Sequence, residues 1–329
     1  MIITRLFYTY KEVEYSFITD LLRNEDIRRI YFWFFELFYS GFKKNSLKLL
    51  WKIYNTYYRI KNRDFEIIMI EKYEKFIKTN DISYITDIIY NLYKMKSCST
   101  VFEIYNKIKQ KDKHKRKFNI TAKSVNTLID YIQNGKHENV VIKLTKLQNS
   151  QKELYKQLKI MYPNVCFSHK QDILSYIISS LYIIVEGNYY EDYEITYKSY
   201  YYRSTINDIE FIKNIQDNKT DVNMRKYRIS QHIGCFLEER FQEDYYEKFF
   251  DRWEYYANKS PIWKKRFLAY KCEIDENSKT VLFKNNNIME NFYQRYYFDI
   301  EDADYNIYIK NVFLMRKNTV ENWLCHVSE

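Results

Sequence analysis

Ile27-Arg28-Arg29-Ile30-Tyr31-Phe32-Trp33-Phe34-Phe35-Glu36-Leu37-Phe38 carries apolar side chains at nine of its twelve positions. Ile27, Tyr31, Phe34 and Phe38 recur at helical spacing, while Phe32, Trp33, Phe35 and Leu37 spread the apolar surface nearly all round. A helix with no polar face belongs in the interior, so this stretch predicts a buried central helix. Gly41 follows as a stop signal.

Similar patterns continue outward from that helix. Asn45 or Ser46 reads as the cap of a helix bearing Leu47, Leu50, Trp51, Tyr54 and Tyr58. Ile67, Ile70, Tyr73 and Ile77 mark a third face, and Ile82, Ile85, Ile89 and Leu92 a fourth. Val101, Ile104, Tyr105 and Ile108 mark a fifth, and Val125, Leu128, Ile129 and Ile132 a short one ending near Gly135. Short links between such segments imply antiparallel neighbours. The chain has four Gly, two Pro and four Ala in 329 residues, so it has few means of entering positive-φ turns or breaking helices. The expected class is all-α, a bundle or array of long helices with at most one small β-hairpin near 267–283. Lys, Asn, Ile, Tyr and Phe have AT-rich codons and Ala, Gly and Pro GC-rich ones. The 36 Tyr and 22 Phe therefore report an AT-rich genome that fills its cores with rings.

Val140, Leu144, Leu147, Gln151, Leu154, Leu158 and Met161 step by four and three. That is a heptad seam with one polar position, Gln151, and Pro163 ends it. Two readings stay open, an internal helical hairpin and a seam (Leu144, Leu147, Gln151, Leu154, Leu158, Met161) for a partner helix. Leu174, Ile177, Ile178, Leu181 and Val185 form a further buried helix, stopped by Gly187. Residues 188–202 read as a surface connection, and 224–257 as one long helical pattern. Ser260-Pro261 is a helix start.

The net charge of +10 is unevenly placed: residues 1–165 hold 31 Lys/Arg against 17 Asp/Glu, and residues 166–329 hold 22 against 26. Such asymmetry suits an anionic partner for the first half, or two mutually attracting halves. Lys107, Lys109, Lys111, Lys113, Lys115, Arg116 and Lys117 crowd into eleven residues with one acid, Asp112. The run reads as a solvated linker, a localisation patch or a nucleic-acid contact. It sets the expected organisation: an aromatic N-terminal domain over 1–106, a basic linker over 107–118, and a second helical domain over 119–329.

Signatures of chemistry are sparse. Four isolated glycines cannot form a phosphate-cradling loop, and no Gly-x-Ser-x-Gly, His-Glu-x-x-His or Cys-x-x-Cys occurs. The expectation is a non-enzymatic protein with no cofactor. Cys166, His169, His232 and Cys235 would make a Cys₂His₂ zinc shell if folding joined the two pairs. Asp299, Glu301, Asp302 and Asp304 read as a solvated helix end rather than a cation site. Five widely spaced cysteines fit reduced thiols. No apolar run reaches the roughly 18 residues of a membrane span. A soluble intracellular protein is expected.

Two passages, Glu25 to Phe42 and Trp253 to Arg266 followed by Phe292-Tyr293 through Asp302, together resemble an uncharacterised helical protein family of the nucleocytoplasmic large DNA viruses. That family, from the giant amoebal and algal virus group, has no assigned activity and offers no catalytic residues to transfer. The resemblance implies a setting: an infected eukaryotic cell, with residence in host cytoplasm or virion. On this reading the chain is an interaction or scaffold protein with protein partners. The alternative is a nucleic-acid-binding protein of late gene expression acting through 107–117.

Overall fold

The computed structural model describes residues 2–111, 118–165, 172–187, 202–216, 227, 229 and 252–296. They form an all-α structure with one two-stranded hairpin. The helices are α1 (Tyr10–Leu22), α2 (Ile27–Leu37), α3 (Lys43–Ile53), α4 (Phe65–Thr79), α5 (Ser83–Lys94), α6 (Thr100–Gln110) and α7 (Ala122–Gln133). Then come α8 (His137–Lys146), α9 (Gln151–Met161), α10 (Ile173–Glu186), α11 (Ile206–Ile215), α12 (Trp253–Ala257), α13 (Pro261–Ala269) and α14 (Asn286–Tyr296). Strands β1 (Glu273–Asp275) and β2 (Thr280–Leu282) pair antiparallel, within the span where the alternation predicts a hairpin. Among the described residues, no helix is long and apolar enough to cross a membrane.

The chain divides into two compact units. One contains the described residues of Met1–Leu47 and Ser204–Trp323, the other those of Lys48–Arg203. The chain passes between them inside α3. This differs from a division at 107–118. Val101 and Ile104 before that run and Ile108 within it share one apolar cluster with Val125, Leu128 and Ile129 after it. Once the apolar faces of α6 to α10 close on one another, the charged run falls within a unit and not at a boundary.

In the first unit α2 is buried as its composition demands: Ile30 through Phe35 are all fully enclosed. Asp26 caps it by accepting from the amides of Arg28 and Arg29. A π-helical turn, Phe38–Phe42, leads directly into α3, and the kink falls at Gly41, whose φ is +92°. Asn45 and Ser46 therefore lie inside α3, which begins at Lys43, and cap nothing. Ser46 instead bonds back to the carbonyl of Phe42. Pro261 opens α13 as expected, after Ser260. Its ring packs on Gly41. Phe7 lies between Trp253 and Trp263, with ring centroids 5.2 and 5.0 Å away. Trp263 Nε1 donates to the carbonyl of Thr4 at 3.1 Å, and Phe267 stacks on Phe292 at 5.0 Å. Ring pairs of this kind each add about 0.5–1.5 kcal/mol beyond the area they bury.

In the second unit α10 is enclosed by α6, α7, α9 and a second π-helical turn, Tyr54–Tyr58. Gly187 ends α10 with φ +72°. The heptad pattern is not one helix. A 3₁₀ turn, Gln148–Ser150, separates α8 from α9. Leu144, Leu147, Leu154 and Leu158 all enter the unit's own core, with Met161 packed against it and Gln151 half-buried. The seam is therefore internal and presents no face to a partner helix. In α4 the buried face is Phe65, Ile68, Met69, Lys72 and Phe76, in place of the expected Ile67, Ile70, Tyr73 and Ile77. The expected long helix over 224–257 and the connection over 188–202 lie almost wholly outside the described residues. Trp253–Ala257 is the described helical part of the former.

Candidate nucleic-acid interface

Helices α6 to α9 are amphipathic in the plain sense. Their apolar stripes, Val101/Ile104/Ile108, Val125/Leu128/Ile129/Ile132, Val140/Val141/Leu144 and Leu154/Leu158, all converge on the α10 core. Helical periodicity then turns the remaining positions to solvent. Those positions are rich in lysine. Residues 100–165 contain 14 Lys/Arg against 5 Asp/Glu, a net +9 where the whole chain carries +10. The described residues among them hold ten Lys against four Asp/Glu, so a net +6 of that charge is carried by this one group of helices and their ends.

The most regular display is on α9. Lys152, Lys156 and Lys159 are exposed at i, i+4 and i+7, on the side opposite Leu154 and Leu158, which have no exposure. At 1.5 Å per residue the row spans about 10.5 Å. Lys136 at the start of α8 and Lys146 at its end are exposed, as is Lys123 in the first turn of α7.

The basic run enters the same group through α6. Lys107 Nζ stands 3.5 Å from Glu138 Oε1 and Lys111 Nζ 3.7 Å from Glu138 Oε2, so one carboxylate on α8 engages two cations. Lys109 Nζ sits over the Tyr105 ring, 4.6 Å from its centroid. Lys113, Lys115, Arg116 and Lys117 lie outside the described residues, as do Cys166, His169, His232 and Cys235 and the acidic group at Asp299, Glu301, Asp302 and Asp304. Among the described residues no group of three or more His, Cys, Asp or Glu could hold a metal ion.

Periodicity gave no warning of the unit's buried ionic centre. Arg59, fully enclosed, donates from Nε to Glu66 Oε2 at 2.9 Å, from Nη1 to Ser179 and Ser180 Oγ at 3.0 and 2.8 Å, and from Nη2 to the Val165 carbonyl at 2.7 Å. Tyr176 Oη donates to Glu66 Oε1 at 3.1 Å. Burial by itself would lower the guanidinium's pKa, but Glu66, with Tyr176 and Tyr54 beside it, raises it above the ordinary value. Burial, reinforced by Glu66, likewise raises the Tyr54 phenol. Every donor and acceptor named here is engaged within the unit, which makes the centre a structural fastening. The one signal in the sequence is Ser175, Ser179 and Ser180 on an otherwise apolar helix, since enclosed hydroxyls require polar partners.

A smaller titratable group lies at the rim of the same core. His137 Nδ1 is 2.8 Å from Tyr182 Oη. Burial, then Glu103 and Cys98, pushes the Tyr182 phenol up to about 12. A phenol held protonated in this way is a hydrogen-bond donor, not a base, at neutral pH. The chain matches no protein-family model, no curated protein and no solved structure.

Proposed function

We propose that this protein binds nucleic acid, without catalysing a reaction, through the lysine-bearing outer faces of α6 to α9. One observation carries the reading: the described residues of 100–165 hold ten Lys against four Asp/Glu, a net +6, and these stand on or at the ends of helices whose inner faces are fixed to a common core. Exposed lysines on such helices can neutralise phosphates and release counterions without first being ordered. The reading extends the basic run at 107–117 into a larger folded surface. In the setting implied by the viral resemblance, the role is in late gene expression. The scaffold reading keeps the opposite charges of the two halves as support, but loses the heptad seam, whose leucines are spent in the core.

The test is titration of the purified full chain with labelled DNA and RNA at several salt concentrations. Log K should fall linearly with log salt, by about 0.7–0.9 for each phosphate neutralised. Absence of binding at low salt, or affinity indifferent to salt, refutes the proposal.

A further inference from the structure

Resting on that reading, we infer that the preferred ligand class is a nucleic-acid duplex gripped by its phosphates, rather than a single strand. Single-strand binding draws much of its energy from bases stacked on open aromatic faces, each worth about 1–3 kcal/mol. The rings in the basic stretch are largely spoken for. Tyr155 packs edge-on against Tyr176 with centroids 5.8 Å apart. Tyr105 lies partly buried against the core with Lys109 on its face. Tyr131 and Tyr162 are likewise packed on the core. Phe118, 42% exposed, is the one large ring that is open among the described residues of the stretch. One ring does not make a stacking platform.

The cations point the same way. Every described basic residue of 100–165 is a lysine, a point charge without the planar fork that makes arginine the commonest reader of guanine edges. Lys152, Lys156 and Lys159 form a straight row about 10.5 Å long on a helix held by Leu154 and Leu158. A row this stiff is matched by a stiff ligand. A duplex presents a fixed lattice with one negative charge per about 1.7 Å of axis, whereas a flexible strand must be ordered to meet it. Phosphate contact alone also implies indifference to sequence.

The experiment compares one DNA duplex, one RNA duplex and their isolated strands with the full chain by fluorescence anisotropy. The parent is set against the triple variant Lys152→Gln/Lys156→Gln/Lys159→Gln, with circular dichroism to verify its fold. Either duplex should bind severalfold more tightly than its strands, with scrambled duplexes equivalent. The triple variant should lose about 2–3 units of salt slope on the duplex, near 0.9 per lysine. Strands bound as tightly as duplexes, or a folded triple variant with unchanged slope, overturns the inference while nucleic-acid binding itself stands. Failure of every probe to bind overturns both.

Discussion

The Arg59 guanidinium carbon stands 3.9 Å from the centroid of the Tyr176 ring, and both side chains bond the same carboxylate, that of Glu66. The three groups close a polar knot inside the α10 core, and removing one charge strands the other. Arg59→Ala is therefore expected to cost about 3–5 kcal/mol, the range for breaking a buried ion pair. The apolar double variant Arg59→Met/Glu66→Leu should cost much less than the sum of its single variants, because neither charge is left behind. Urea denaturation of the four proteins measures this coupling. Simple additivity would mean that the pair does not act as a unit.

Gly41 provides a second test, in the first unit. At φ +92° any L side chain is strained, and a Cβ placed there would lie 2.7 Å from Pro261 Cβ. Gly187 has a similar φ, +72°, with nothing within 4 Å of its would-be Cβ. Gly187→Ala should thus show the backbone penalty alone, about 1 kcal/mol, and Gly41→Ala at least about 2 kcal/mol through strain plus collision. Thermal unfolding midpoints of the two variants rank them. Equal shifts would show that the ring of Pro261 yields freely.

These two sites show what the sequence made legible and what it concealed. The Ile30 to Leu37 stretch, apolar but for Glu36, could have no other place than an interior, and the hairpin and the Pro261 start were readable from local chemistry. The face of α4 was not, because a lysine stands in its buried stripe. Lys72 is 5% exposed and donates to Asp87 Oδ2 at 2.7 Å, a partner fifteen residues away that periodicity cannot reveal. The break in the heptad pattern was hidden differently. Leu147 and Leu154 keep the seam's spacing across a segment, Gln148-Asn149-Ser150, whose polar side chains compete for backbone groups. Ser150 Oγ is tied to the amide and carbonyl of Phe118 at 2.9 and 3.1 Å, a contact made only by tertiary folding. The basic surface was half legible. The run at 107–117 stood out, while Lys152, Lys156 and Lys159 looked like the outer side of a seam.

Alkaline pH should destabilise the fold. Burial pushes the phenols of Tyr39 and Tyr182 up to about 12, while an unfolded tyrosine titrates near 10. Below pH about 10 both states hold these protons and the contribution is complete. Between about 10 and 12 the unfolded chain releases protons that the folded chain retains, so stability falls as pH rises. Denaturation followed across this window should show a steady loss, and Tyr182→Phe should make the loss shallower. An unchanged slope in that variant would show that the Tyr182 phenol is not linked to folding.

Glu138 gives the sharpest test of the lysine face because its two effects separate. Its carboxylate lies within 4 Å of both Lys107 and Lys111, yet its side chain is 66% exposed and the two lysines 43% and 41%. Ion pairs this open contribute about 0–1 kcal/mol to stability. Glu138→Gln should therefore leave the unfolding free energy within about 0.5 kcal/mol of the parent. Binding should respond far more. The substitution removes the competitor for two cations, so duplex affinity should rise severalfold at low salt. The salt slope should steepen by up to about 1.8, near 0.9 for each lysine released to a phosphate. A variant with parental affinity and lowered stability would make Glu138 a brace between α6 and α8, and would remove Lys107 and Lys111 from the binding face.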